Sequence, residues 1–113
     1  SRDEVFEKEL YKEFFMHRTS HWLGLDVHDA GQYFDAPLKG GNSKPIKFQD
    51  SNVLTVEPGC YIKPNGNVPK EFWGIGIRIE DDVLVTSSGH KVLSENAPKE
   101  IKDLEDVIGS LNE

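Results

Sequence analysis

The sequence predicts an α+β fold, and three observations carry that expectation. Apolar residues recur at helical spacing near both ends of the chain. Strands with period-two alternation fill the stretch between residues 53 and 86. A short run after them closes a hairpin. At 113 residues the chain is one domain or part of one, with a modest core.

In chain order, residues 3 to 15 predict an amphipathic, core-packing helix. Phe6, Leu10 and Phe14 recur at steps of four, and Val5, Tyr11 and Phe15 widen the stripe. Asp3 and Glu4 sit in its first turn, where carboxylates suit the helix dipole. Residues 17 to 29 break the pattern: Gly24, Val27 and the Asp26/Asp29 pair favour a loop or a short extended piece. Residues 30 to 52 are punctuated by Gly31, Pro37, Gly40, Gly41, Asn42, Ser43 and Pro45, and predict a long excursion with at most one short strand.

Val53 to Glu57 read as a strand stopped by Pro58-Gly59, followed by a shorter strand from Cys60 to Lys63. A second loop, with Asn65-Gly66 in it, runs to Phe72-Trp73. Residues 74 to 86 give the clearest strand signal. Ile75, Ile77 and Ile79 alternate with Gly76, Arg78 and Glu80, so Arg78 and Glu80 share the face opposite the isoleucines, and Asp81-Asp82 marks a turn or bulge. Lys91-Val92-Leu93 closes a hairpin. The last segment predicts a helix with Pro98 in its first turn and Ile101, Leu104, Ile108 and Leu111 on one face.

Charge excludes several functions. Thirteen basic against 20 acidic residues leave a formal net charge of −7, which argues against nucleic acid or an anionic membrane as partner. No apolar run is long enough to span a bilayer. The single Cys60 forms no internal disulfide, which favours a reducing, cytoplasmic compartment.

Chemistry concentrates in Met16 to Asp29, which holds three of the four histidines. His17 and His21 are four apart, as in a helical zinc motif, but Arg18 stands where that motif needs a glutamate, so that reading fails. Glu57 and Glu80 each end a strand. Either one alone reads as a paired or solvated edge residue, and His21 alone as a structural histidine. Together they form a hard, oxygen-rich donor set suited to Mn, Mg, Co or Fe. Arg78 is the other partner open to Glu80.

Three segments carry a resemblance: His17-x-x-Ser20-His21-Trp22-Leu23-Gly24-Leu25-Asp26-Val27-His28-Asp29, Leu54-Thr55-Val56-Glu57-Pro58-Gly59-x-Tyr61-Ile62, and Gly74-Ile75-Gly76-Ile77-Arg78-Ile79-Glu80-Asp81-Asp82-Val83. In wording and order they resemble the C-terminal motifs of the aminopeptidase P family. These are Xaa-Pro aminopeptidases of the pita-bread superfamily, related to prolidase and methionine aminopeptidase.

The resemblance implies the C-terminal part of a pita-bread fold, a curved antiparallel sheet with flanking helices, with residues 1–113 as one incomplete domain. It implies a parent enzyme that hydrolyses the N-terminal Xaa-Pro bond of peptides with proline second. It implies two Mn²⁺ ions (Co²⁺, Zn²⁺ or Fe²⁺ as substitutes) held by two Asp, one His and two Glu. His21, Glu57 and Glu80 match three of these ligands, and Glu57 also handles the proton of the attacking water. His28 matches the histidine that stabilises the tetrahedral intermediate, His17 one that lines the substrate pocket, and Arg78 a supporting arginine.

The family's Asp-x-Gly strand has no counterpart before His17, so the chain is expected to supply three of five ligands, to hold metal poorly and to be inactive alone. Self-association is expected from an exposed sheet edge and apolar surface. Ser51-Asn52 replace a family Gly-Met pair and Cys60 a leucine, both expected to be tolerated. The alternatives are a prolidase acting on Xaa-Pro dipeptides and a non-catalytic pita-bread interaction module.

Overall fold

The computed structural model describes residues 1–35, 43–64 and 67–109. Pro37, Gly40, Gly41 and Asn42 of the expected excursion, Asn65-Gly66 of the second loop, and Leu111 of the last helix lie outside the described residues.

The organising strand is β1 (Val53–Val56), whose Val-Leu-Thr-Val sequence favours extended backbone. It pairs antiparallel with β4 (Asp81–Thr86), setting Val53 opposite Leu84 and Val56 opposite Asp81. β4 pairs in turn with β5 (Gly89–Val92), a hairpin turned at Ser87-Ser88. The histidine-bearing segment lies along the other edge of β1. The amide of Leu23 donates to the carbonyl of Val53 (3.1 Å), that of Thr55 to His21 (3.0 Å) and that of Glu57 to Thr19 (2.8 Å). The extended piece expected within residues 17 to 29 is therefore present, antiparallel to β1.

The expected strand over 74 to 86 is two strands in two sheets. β2 (Gly59–Tyr61) pairs with β3 (Gly76–Arg78), Gly59 facing Arg78 and Tyr61 facing Gly76, and β4 begins three residues later in the other sheet. The chain crosses between sheets twice, at Pro58 and at Ile79-Glu80, and the two crossings are tied by the Ile79 amide donating to the Pro58 carbonyl (3.2 Å). Glu57 and Glu80 flank this shared corner.

The N-terminal helix also departs from expectation. α1 (Arg2–Glu7) starts with a capping box between Ser1 and Glu4, then Glu9 turns left-handed (φ 53°), and a 3₁₀ turn covers Leu10–Glu13. Helices of this length depend on packing of their apolar face. Phe6 and Leu10 remain exposed, so nothing enforces a continuous helix. At the other end Pro98 precedes α2 (Ile101–Gly109) rather than entering its first turn.

Among the described residues Leu54, Thr55 and Glu57 are the buried ones, all on or next to β1. Ile75, Ile77 and Ile79, whose alternation suits an apolar face, are exposed, Ile77 at 58%. The surface of 9560 Å² exceeds the roughly 6300 Å² of a closed domain of this mass. The radius of gyration of 18.4 Å exceeds the expected value of about 13 Å. The core is unfinished within this chain.

Two local features yield predictions. Ser51, before β1, sits at φ 69°, and its amide donates to the carbonyl of Val85 (3.0 Å) and to its neighbour Asp50 (3.1 Å). A side chain is strained in this left-handed conformation, which glycine adopts freely. Ser51→Gly is expected to stabilise the chain by about 1 kcal/mol; a urea midpoint that stays level or falls contradicts this.

Asp81 of β4 accepts hydrogen bonds from the Lys99 ammonium (2.7 Å) and the Ser94 hydroxyl (2.6 Å), clamping the segment before α2 to the sheet. The Lys99 bond, then the Ser94 bond, holds its carboxyl below the usual range of about 3.9. A folded pKa below the unfolded one means the clamp stabilises fully above the ordinary value and loses its contribution as pH falls through the folded one. A carbon-13 titration of Asp81 is expected to show the lowered midpoint in the chain and its return upward in Lys99→Met.

Candidate metal centre

Strand alternation puts Thr55 and Glu57 on one face of β1, opposite Leu54 and Val56. Pairing of the 19–23 segment with β1 sets His21 level with Thr55, and the His21 amide donates to Thr55 Oγ1 (3.0 Å). His21 Nδ1 lies 3.0 Å from the Trp22 carbonyl oxygen, which only accepts, so the ring donates from Nδ1. In the neutral imidazole Nε2 is then a lone pair, and it faces Glu57 Oε1 at 3.2 Å. Glu57 Oε1 also accepts the Thr55 hydroxyl (3.2 Å).

Two acceptors pointed at each other need a cation between them, a proton or a metal. Glu80 completes the set: one donor atom each from His21, Glu57 and Glu80 lies within 4.8 Å of the others. Imidazole plus two carboxylates, with the imidazole tautomer fixed from behind, suits a divalent ion. The donors present fit such an ion. Among the described residues no aspartate joins the group, so Asp26 and Asp29 are not part of it.

The structure brings two more expected residues to this corner. Arg78 Nε lies 3.5 Å from Glu80 Oε2 and 3.9 Å from Glu57 Oε2, a half-exposed cation on the outer side of both carboxylates. On Glu57 the two neighbours use different oxygens, Arg78 near Oε2 and His21 near Oε1. The His28 ring meets the His21 ring edge-on, centroids 4.3 Å apart.

His17 is placed differently. Its Nδ1 donates to the Arg18 carbonyl and its Nε2 accepts the Tyr61 hydroxyl, both at 2.7 Å, while the ring packs against Phe15 and Tyr61. Both nitrogens are engaged within the protein, so His17 offers a ring surface rather than a free nitrogen. A Cβ at Gly59 would fall 2.8 Å from the Tyr61 ring, so the glycine after Pro58 makes room for that ring as well as for the turn.

Sequence reasoning passed over Thr55, Tyr61 and the Trp22 carbonyl. A signal existed for Thr55, which stands two residues before Glu57 on a strand and must share its face. None existed for the Trp22 carbonyl, because a backbone acceptor has no sequence signature.

Comparison with known proteins follows the same lines. Residues 2–87 match metallopeptidase family M24. The chain is 44% identical over 106 residues to a Haemophilus influenzae Xaa-Pro aminopeptidase, covering 94% of this chain and 23% of that protein. It is 44% identical over 103 residues to the Escherichia coli Xaa-Pro aminopeptidase, covering 91% and 22%. Aminopeptidase P from E. coli, solved with the inhibitor Pro-Leu, superposes with a TM-score of 0.81 at 40% identity, covering 99% of this chain and 24% of that one. The chain thus spans less than a quarter of the length of these relatives.

The donor set predicts divalent-metal binding that depends on its own members. Calorimetric titration with Mn²⁺ is expected to show His21→Ala and Glu57→Gln weakened by roughly 100-fold or more, since even residues behind a ligand cost 10–100-fold. His17→Ala is expected to bind nearly as well as the unaltered protein. Equal loss in all three variants would mean general destabilisation rather than coordination.

Proposed function

The chain belongs to metallopeptidase family M24 and carries part of its pita-bread fold, and from that premise we propose that it forms part of the catalytic domain of a proline-specific aminopeptidase. The parent enzyme removes the N-terminal residue from peptides with proline second. The observation that carries this reading is the corner where His21 Nε2, Glu57 and Glu80 converge, inside motifs shared with Xaa-Pro aminopeptidases. The Pro-Leu bound to the E. coli relative supports a proline-containing ligand.

His21, Glu57 and Glu80 would hold the metal, a Mn²⁺ pair being among the choices that suit a donor set of carboxylates and one imidazole. Bound there, divalent ions supply an acidified water and polarisation of the scissile carbonyl. This chain's residues supply the rest. Glu57 accepts the proton of the attacking water at a carboxylate oxygen and delivers it to the leaving amine. His28, packed on His21, donates a hydrogen bond to the carbonyl oxygen as negative charge develops there. Arg78, 3.5 Å from Glu80 and 3.9 Å from Glu57, is the cation that supports both carboxylates in place. His17, with both nitrogens occupied, presents an apolar ring edge as part of the pocket wall.

Three ligands are fewer than two ions need, so the chain alone is expected to show little or no turnover, and the two remaining carboxylates come from the rest of the catalytic domain. The reading places the enzyme in the cytoplasm and allows self-association through the exposed apolar surface.

The test is hydrolysis of an Xaa-Pro-Yaa tripeptide by the full-length enzyme with added Mn²⁺, and its loss on chelation. His28→Ala is expected to lower kcat by about 10²–10³-fold with Mn²⁺ affinity retained. Cleavage of Xaa-Pro dipeptides but not tripeptides would point to prolidase instead. Absence of divalent binding would point to a non-catalytic module.

A further inference from the structure

We infer that Thr55 is the positioning residue of this centre: its hydroxyl couples His21 to Glu57 and presets both for the divalent ion. The inference rests on the metal reading above. Thr55 is the most deeply buried side chain among the described residues, 1% exposed, in the sequence Val-Leu-Thr-Val. Packing and strand preference alone would be served equally by valine, which has the same shape. A hydroxyl buried so completely persists only when its hydrogen-bonding capacity is used.

Both capacities are used here, and both on ligands. Oγ1 accepts the His21 amide at 3.0 Å and donates its one proton to Glu57 Oε1 at 3.2 Å. The Thr55 amide meanwhile donates to the His21 carbonyl at 3.0 Å. One residue therefore holds both backbone groups of His21 and one carboxylate oxygen of Glu57. With the hydroxyl proton committed to Oε1, that oxygen acts as an acceptor. Its remaining lone pair turns toward His21 Nε2, 3.2 Å away, where an ion would sit. The coupling spans two strands, so each ligand's position fixes the other's.

The experiment compares Thr55→Val, which deletes the hydroxyl and keeps the shape, with Thr55→Ser, which keeps the hydroxyl and deletes the methyl. It uses the full-length enzyme stripped of metal. Mn²⁺ affinity by calorimetry is expected to fall about 10–100-fold in Thr55→Val and to stay within about 3-fold in Thr55→Ser. In the metal-free proteins, hydrogen exchange of the His21 amide is expected to quicken in Thr55→Val but not in Thr55→Ser. The Leu23 amide, bonded to Val53, keeps its rate in both. If Thr55→Val does not fold, Thr55→Ala against Thr55→Ser decides.

Wild-type affinity in Thr55→Val overturns the inference. So does equal impairment in Thr55→Ser, which would assign the effect to packing. An unaltered enzyme that binds no Mn²⁺ overturns the metal reading itself, a result distinct from either.

Discussion

The site depends on a single encounter, the 3.2 Å approach of His21 Nε2 to Glu57 Oε1. The imidazole is turned into that approach because Nδ1 donates to the Trp22 carbonyl. The Trp22 peptide is fixed in turn: its carbonyl also accepts the Asp29 amide (3.0 Å), and its amide donates to the Tyr33 hydroxyl (3.2 Å). The indole stacks on Tyr33 and lies where a Cβ at Gly31 would collide with it. The loop from 17 to 35 thus serves to hold one ring in one tautomer and one direction. Glu57 is 8% exposed, and its cationic neighbour Arg78 stands 3.9 Å off and half in solvent. A buried carboxylate needs hydrogen bonds or a cation as partners, and here the Thr55 hydroxyl serves Oε1 while Arg78 stands off Oε2.

That corner exists because the chain changes sheets there twice. Pro58 cannot donate to a ladder, so β1 ends at Val56 and the chain turns into β2. Coming back, β3 ends at Arg78 and β4 begins at Asp81, opposite Val56. The register leaves Glu57 on the outgoing crossing and Glu80 on the returning one. Two residues far apart in sequence therefore meet on backbone held by two ladders, whatever the loop between β2 and β3 does. Arg78 sits opposite Gly59 at the end of β3, next to the crossing that carries Glu80, and its guanidinium lies near both carboxylates.

Strand identity was legible wherever β-branched residues clustered, as in β1 and β4, since those signals are local. The convergence of His21, Glu57 and Glu80 was legible through motif wording, and the nearness of Arg78 to Glu80 through the face they share. What escaped was non-local. The division of residues 74 to 86 between two sheets depends on pairing partners, not on the isoleucine alternation itself. The break at Glu9 depends on what the Phe6 and Leu10 stripe packs against. Ser51 was read as a surface change because a positive φ is invisible in a sequence. Thr55 was hidden by resembling its valine neighbours; its difference is one hydroxyl with two specific partners.

On the proposed two-metal reading, the exposed apolar surface and the three-donor group describe the same situation. Three protein donors fall short of the coordination a pair of hard cations requires. Ile75, Ile77 and Ile79, aligned beside the corner, stay in solvent despite a pattern suited to burial. Covering that face would lower the dielectric around Glu57 and Glu80 and strengthen each electrostatic contact with them. The same covering would hold the corner's backbone more rigidly. Ligand number, dielectric and rigidity would all rise together, which ties the affinity of the centre to completion of the surrounding fold. This is the physical basis for the proposed catalysis by the larger domain, while the donor atoms of His21, Glu57 and Glu80 already converge in this chain.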